Sequence, residues 1–156
     1  SRSEEAPGVF VGNAPSSTVD RIGFLYTGQG SQFTGMGRRL YGSFGCFREA
    51  FDRCADEFLG LMSIDLRDLI FGRDDEPERV HQTRFTQPAI FTIQYALAAL
   101  WRHWGVRPSL VLGHSVGEFA AMVSAGAISL EHGVRLVEAR GRLMQELPQG
   151  GMMCSV

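Results

Sequence analysis

Ser109-Leu110-Val111-Leu112-Gly113-His114-Ser115-Val116-Gly117-Glu118 is the stretch from which the fold can be read. A short apolar run enters a G-x-S-x-G and leaves it in a helix-forming segment. Ser109 to Leu112 read as a short apolar strand, and about 116 to 125, ending near Gly126, as a helix. A serine between glycines at a strand-to-helix junction is a nucleophile elbow. So tight a turn needs glycine on either side, and its strain exposes the Ser115 hydroxyl at the carboxyl edge of a sheet. The following helix points free N–H groups at developing negative charge, which makes the Val116 N–H a natural oxyanion donor. Ser115 is the candidate nucleophile. The bland alternative is a structural turn with an inert serine.

Upstream, Ile22 to Thr27 form another short apolar run, read as a buried strand that stops at Gly28. Directly after it comes Gly28-Gln29-Gly30-Ser31-Gln32. Glycine there permits close backbone approach to a ligand or to the elbow, or marks a plain tight turn. It is not a dinucleotide fingerprint, because Phe33 stands where the third glycine belongs. An elbow does need a second loop that supplies an oxyanion N–H.

Helices are expected over about 38–58, over 65–71 and over 87–104. The last has Thr86 as N-cap, Pro88 in its first turn, and Ile90, Ile93, Leu97, Leu100, Trp101 and Trp104 at helical spacing. Residues 73–79, RDDEPER, read as a charged loop. Ser129 reads as the N-cap of a helix to about 147, with Leu130, Val134, Val137, Gly141 and Met144 on one face. Short strands alternating with helices predict an α/β fold with a mostly parallel sheet. Residues 1–20 read as linker, 21–149 as the body of the domain, and 150–156 as the start of a further strand.

At 156 residues, 44% hydrophobic and 21% charged, the chain suits one globular domain. Net charge is -2 with no basic stripe, which argues against a nucleic-acid or anionic-membrane surface. No apolar run approaches a membrane span, and no signal peptide is expected. All fifteen basic residues are Arg. A P-loop lysine, a Schiff-base lysine and a kinase-type lysine are thereby excluded within the chain. Cys46, Cys54 and Cys154 form no CxxC, which fits reduced thiols and a cytoplasmic setting better than a disulfide framework or a metal site.

Two residue types are ambiguous from spacing. Arg140, on the last predicted helix, has the chemistry to fork a carboxylate, but its position alone reads as a solvated arginine, as does that of Arg142. An activated serine needs a base. His114 adjoins the nucleophile and leaves the backbone in another direction. His81, His103 and His132 fall in a loop, at a helix end and in a first turn, and none is compelling.

The combination of GQGSQ, TQPAIF at 86–91, GHSVGE at 113–118 and RGRLMQ at 140–145 resembles the malonyl-CoA:acyl carrier protein transacylase family. Within it, the chain looks most like the acyltransferase domain of a modular type I polyketide synthase. The motifs keep the family order over roughly residues 21–156. The resemblance implies an α/β-hydrolase-like large subdomain, cut at the start of a ferredoxin-like small one. It implies that Ser115 accepts the acyl group and that the N–H groups of Gln29 and Val116 form the oxyanion hole. Arg140 matches the arginine that pairs with the malonyl carboxylate, Gln87 a polar residue close to the site, and His114 a pocket residue that is not the base. The implied substrate is malonyl-CoA, with no bound cofactor. The implied partners are an acyl carrier protein bearing phosphopantetheine, a ketosynthase and other module domains, and the remaining half of the acyltransferase, which holds the catalytic histidine. A branched residue at Val116 is similar to malonyl-selective members, whereas glutamine is usual in methylmalonyl-selective ones. Residues 1–20 resemble the tail of a linker after a ketosynthase.

Competing readings are a methylmalonyl-selective acyltransferase, a patatin- or esterase-like serine hydrolase, and a non-catalytic piece of a megasynthase. The GQGSQ loop and Arg140 weigh against the hydrolase, which has no need of a carboxylate clamp.

Overall fold

Strands β1 (Gly23–Tyr26) and β2 (Leu110–Gly113) lie side by side and parallel, with Gly23 opposite Leu110 and Tyr26 opposite Gly113. The computed structural model describes residues 21–73 and 75–148. The expected linker at 1–20 and the expected strand at 150–156 lie outside the described residues.

Between and after the strands come α1 (Arg38–Ser43), α2 (Gly45–Met62), α3 (Leu66–Ile70), a 3-10 turn (Pro77–His81), α4 (Thr83–His103), α5 (Gly117–Ser124) and α6 (Leu130–Gln145). This is the α/β arrangement expected, with a small parallel sheet among helices. Alternation along a strand sends successive side chains to opposite faces. Phe24, Tyr26 and Val111 pack into the core, and α5 packs against both strands. Leu25, Leu110 and Leu112 point the other way and are 75%, 62% and 62% exposed.

Helix α4 is the central post, packed against α2, α5 and α6. The core is aromatic. Phe47, Phe51 and Phe58 of α2 are fully buried, and Phe58 meets Phe91 of α4 edge-on at 6.0 Å. Burying a side chain of this size contributes about 1.5–3 kcal/mol. Helix α6 comes close to α4 through glycine: a Cβ on Gly133 would stand 3.0 Å from the Phe91 ring.

Four expectations need correction. The helix expected over 38–58 is two helices, broken at Phe44, whose φ of -125° is extended. Gly42, Ser43 and Gly45 are weak helix formers, and the Phe44 ring is held edge-on against Trp104 at 5.4 Å. Helix α4 begins at Thr83, so Thr86 is not its cap; its hydroxyl donates instead to the Val80 carbonyl at 2.7 Å. Pro88 therefore sits inside α4, where it deprives the Arg84 carbonyl of its usual donor. The end of the charged stretch, residues 77–79, winds into the 3-10 turn (Pro77–His81) that delivers the chain to α4. The apolar stripes also differ at their ends. Trp101 and Trp104 are half exposed, and Met144 is 41% exposed although Leu130, Val134, Val137 and Gly141 are buried as expected.

Candidate active site

The end of β2 is locked to the end of β1, because the His114 N–H donates to the Tyr26 carbonyl at 2.9 Å. The chain then reverses at Ser115, whose φ of 55° is left-handed. Serine pays a conformational cost there of about 1–3 kcal/mol. The flanking glycines show why the turn holds. A Cβ on Gly113 would stand 2.2 Å from the Cα of Glu118, and one on Gly117 would stand 2.4 Å from the Tyr26 carbonyl oxygen. Both obstacles are backbone and cannot swing away. The first turn of α5 closes with Gly117 N–H to the His114 carbonyl at 3.0 Å and Glu118 N–H to the Ser115 carbonyl at 3.1 Å. The strand-to-helix elbow has the geometry expected, with the Ser115 hydroxyl exposed at the carboxyl end of β2.

The loop after β1 lies against the elbow. A Cβ on Gly28 would meet the His114 ring at 2.6 Å. The loop is braced from within and without. Gln94 of α4 donates to the Thr27 carbonyl at 2.7 Å, Thr27 and Ser31 share a hydroxyl bond at 3.1 Å, and the Gln29 side chain donates to the Thr83 hydroxyl at 3.1 Å. Among the described residues, neither the Gln29 N–H nor the Val116 N–H has a hydrogen-bond acceptor.

Arg140 reaches into the same place. One branch of its guanidinium donates to Gln87 Oε1 at 2.6 Å and the other to Ser115 Oγ at 3.1 Å. It is not the solvated arginine that spacing suggested. Arg142 is: it is exposed and paired with Glu138 at 3.2 Å and Glu146 at 3.6 Å. Gln87 is fully buried, and its amide nitrogen donates to Met144 Sδ at 3.3 Å. Ser115, Arg140, Gln87, the Gln29 loop and Val116 thus meet at one end of the sheet.

Among the described residues no histidine hydrogen-bonds Ser115. His81 contacts Gln32 at 3.4 Å, and His132 contacts its own N-cap, Ser129, at 3.2 Å. Thr83 and Met144 were not singled out as site residues by the sequence. Met144 lies four residues after Arg140, the spacing that puts two side chains on one helix face, and that was the signal available.

Residues 23–156 match the family described as acyl transferase domain. The spectinabilin polyketide synthase system protein NorB of Streptomyces orinoci is 44% identical over 153 residues, covering 97% of this chain and 7% of that protein. The acyltransferase domain from the second module of the salinomycin polyketide synthase superposes with a TM-score of 0.84 at 46% identity, over 94% of this chain and 33% of that one. The malonyl CoA-acyl carrier protein transacylase of Clostridium perfringens gives 0.72 at 38% identity, over 81% and 38%. The chain therefore spans about a third of these solved structures and a small fraction of the synthase. The chain belongs to the acyl transferase domain family, and it is similar to the acyltransferases of polyketide synthases.

Proposed function

We propose that this chain loads a malonyl unit from malonyl-CoA onto Ser115 and passes it to the phosphopantetheine thiol of an acyl carrier protein. One observation carries the reading: the Arg140 guanidinium stands within hydrogen-bond reach of the candidate nucleophile, 3.1 Å from its hydroxyl. A cation there suits an acyl group that ends in a carboxylate, which a planar guanidinium can hold in two bonds. A simple ester hydrolase has no use for it.

In the first half-reaction Ser115 Oγ attacks the thioester carbonyl. The C–S bond breaks, an ester C–O bond forms, and coenzyme A leaves as the thiol. The Gln29 and Val116 N–H groups take the tetrahedral oxyanion, and their lack of other acceptors among the described residues supports that role. In the second half-reaction the phosphopantetheine thiol attacks the ester and Ser115 regains its hydroxyl. The base that takes the Ser115 proton comes from the remaining half of the acyltransferase, outside these residues. His114 contributes to the pocket by packing beside Gly28. Val116 favours malonyl over methylmalonyl. The ketosynthase and other domains of a synthase module are the proposed neighbours, and the cytoplasm the proposed setting.

The test is intact mass after mixing the chain with malonyl-CoA, alone and with the remaining half of the domain supplied, using Ser115→Ala as control. A malonyl increment that needs Ser115 is expected when both halves are present. No increment in either mixture would overturn the reading.

A further inference from the structure

The buried amide of Gln87 is held at both ends by α6. Its oxygen accepts from Arg140 at 2.6 Å, and its nitrogen donates to Met144 Sδ at 3.3 Å. Arginine only donates, so the end of the amide that faces it must be the oxygen. The amide nitrogen then points the other way with two N–H groups. A buried donor left without an acceptor is costly, and thioether sulfur is an acceptor, though a weak one. Were the amide turned over, its N–H groups would face the guanidinium, donor against donor. Arg140 would lose its fixed branch, and the branch that reaches Ser115 would lose its anchor.

Met144 lies at the margin of its apolar stripe. It is 41% exposed, whereas Val137 and Gly141 before it on the same stripe are buried. What it contributes is the sulfur against a fully buried amide.

We propose that Met144 is a positioning residue, whose thioether fixes the Gln87 amide in the one orientation that lets Gln87 hold Arg140 beside Ser115. The proposal rests on the reading of Arg140 as the site of the substrate carboxylate. It predicts that Met144 governs discrimination between carboxylated and neutral acyl groups, without contact with either.

The experiment uses the chain with the remaining half of the domain supplied, as in the acylation test above, and measures kcat/KM for malonyl-CoA and for acetyl-CoA. Met144→Leu conserves volume and removes the acceptor. It is expected to lower the malonyl-to-acetyl ratio roughly three- to tenfold, the size of one modest hydrogen bond, mostly through KM for malonyl-CoA, with an unchanged melting temperature. Met144→Gln returns an acceptor oxygen to the same place and restores most of the ratio. An unchanged ratio in Met144→Leu, or a Gln variant as impaired as the Leu variant, overturns the proposal. Arg140→Ala separates the two ideas. If it collapses the ratio while Met144→Leu does not, only the role of Met144 fails. If Arg140→Ala leaves the ratio intact, the carboxylate reading fails and takes this proposal with it.

Discussion

Arg140 and Ser115, twenty-five residues apart in the chain, meet at 3.1 Å because α6 and the β2–α5 elbow both pack against one helix, α4. The candidate nucleophile and the neighbouring cation are therefore held by separate elements with a shared support. Removing the charge should leave the elbow standing. Arg140→Gln is expected to lower kcat/KM for malonyl-CoA by roughly ten- to a hundredfold, the loss of one charge-assisted pair at about 1.5–3 kcal/mol. Turnover of acetyl-CoA or of a neutral ester should change less than about threefold on the same reasoning. Steady-state kinetics on the whole acyltransferase with the paired substrates checks this. Faster turnover of the neutral ester than of malonyl-CoA by the unaltered enzyme would favour a hydrolase instead.

The elbow glycines predict a second result. Gly117→Ala drives a methyl to 2.4 Å from the Tyr26 carbonyl, and Gly113→Ala to 2.2 Å from the Glu118 backbone. Each should cost about 3 kcal/mol or more, at or above the usual range for overpacking, because no rotamer relieves a backbone clash. Gly60, inside α2, has nothing within 4 Å of its Cβ position. Gly60→Ala should stabilise by about 0.5–1 kcal/mol through helix propensity. Denaturant titration of the three variants separates close approach from mere flexibility.

Cys54 offers a test of the core. It is fully buried, and burial pushes its thiol up to about 12. The thiolate is the reactive form, so at pH 8 the native protein should resist alkylation at Cys54 until it unfolds, as peptide mapping after iodoacetamide would show. The folded form holds this proton more tightly than the unfolded chain, whose value is near 9.0. That contribution to stability is intact below pH 9 and is lost as the pH rises from there toward 12. Melting curves of Cys54→Ser against the native protein across that window would reveal it.

Arg67 ties the α2–α3 corner. It donates to Asp65 at 2.8 Å and to Asp56 at 2.7 Å, and reaches Asp52 at 3.4 Å, while Tyr41 donates to Asp52 at 2.8 Å. Arg67→Leu leaves three carboxylates that are partly open to water without their shared cation, and about 1–2 kcal/mol of destabilisation is expected. Part of this loss should vanish at high salt, where screening weakens the exposed Asp56 pair. A reversal of that salt dependence would contradict the assignment.

Much of the site was legible in the residues around Ser115. Glycine at 113 and 117 with flanking strand and helix left only one local geometry. Ser129 also declared itself, since its hydroxyl accepts the His132 N–H at 3.2 Å as an N-cap should. Arg140 was not legible by spacing, because whether an exposed-looking arginine is paired depends on what another helix brings to it, here Gln87. Only the likeness of its motif to a known family suggested a place for it in the site. The unbroken helix expected over 38–58 and the cap expected at Thr86 misled for a related reason. Their local signals were overridden by a ring packed on Trp104 and by a 3-10 turn that starts α4 early. The orientation of Met144 was hidden because a periodic apolar stripe does not reveal which of its members lies at the margin.

Parallel sheets ordinarily carry a layer on each face, yet Leu25, Leu110 and Leu112 look outward from β1 and β2. Leu112 stands three residues before Ser115 on the same run of chain. Leu112 and the elbow share one run of backbone, so whatever covers these leucines also steadies the strand that carries Ser115. A defect in that cover is then expected to register at the serine as well as in the sheet.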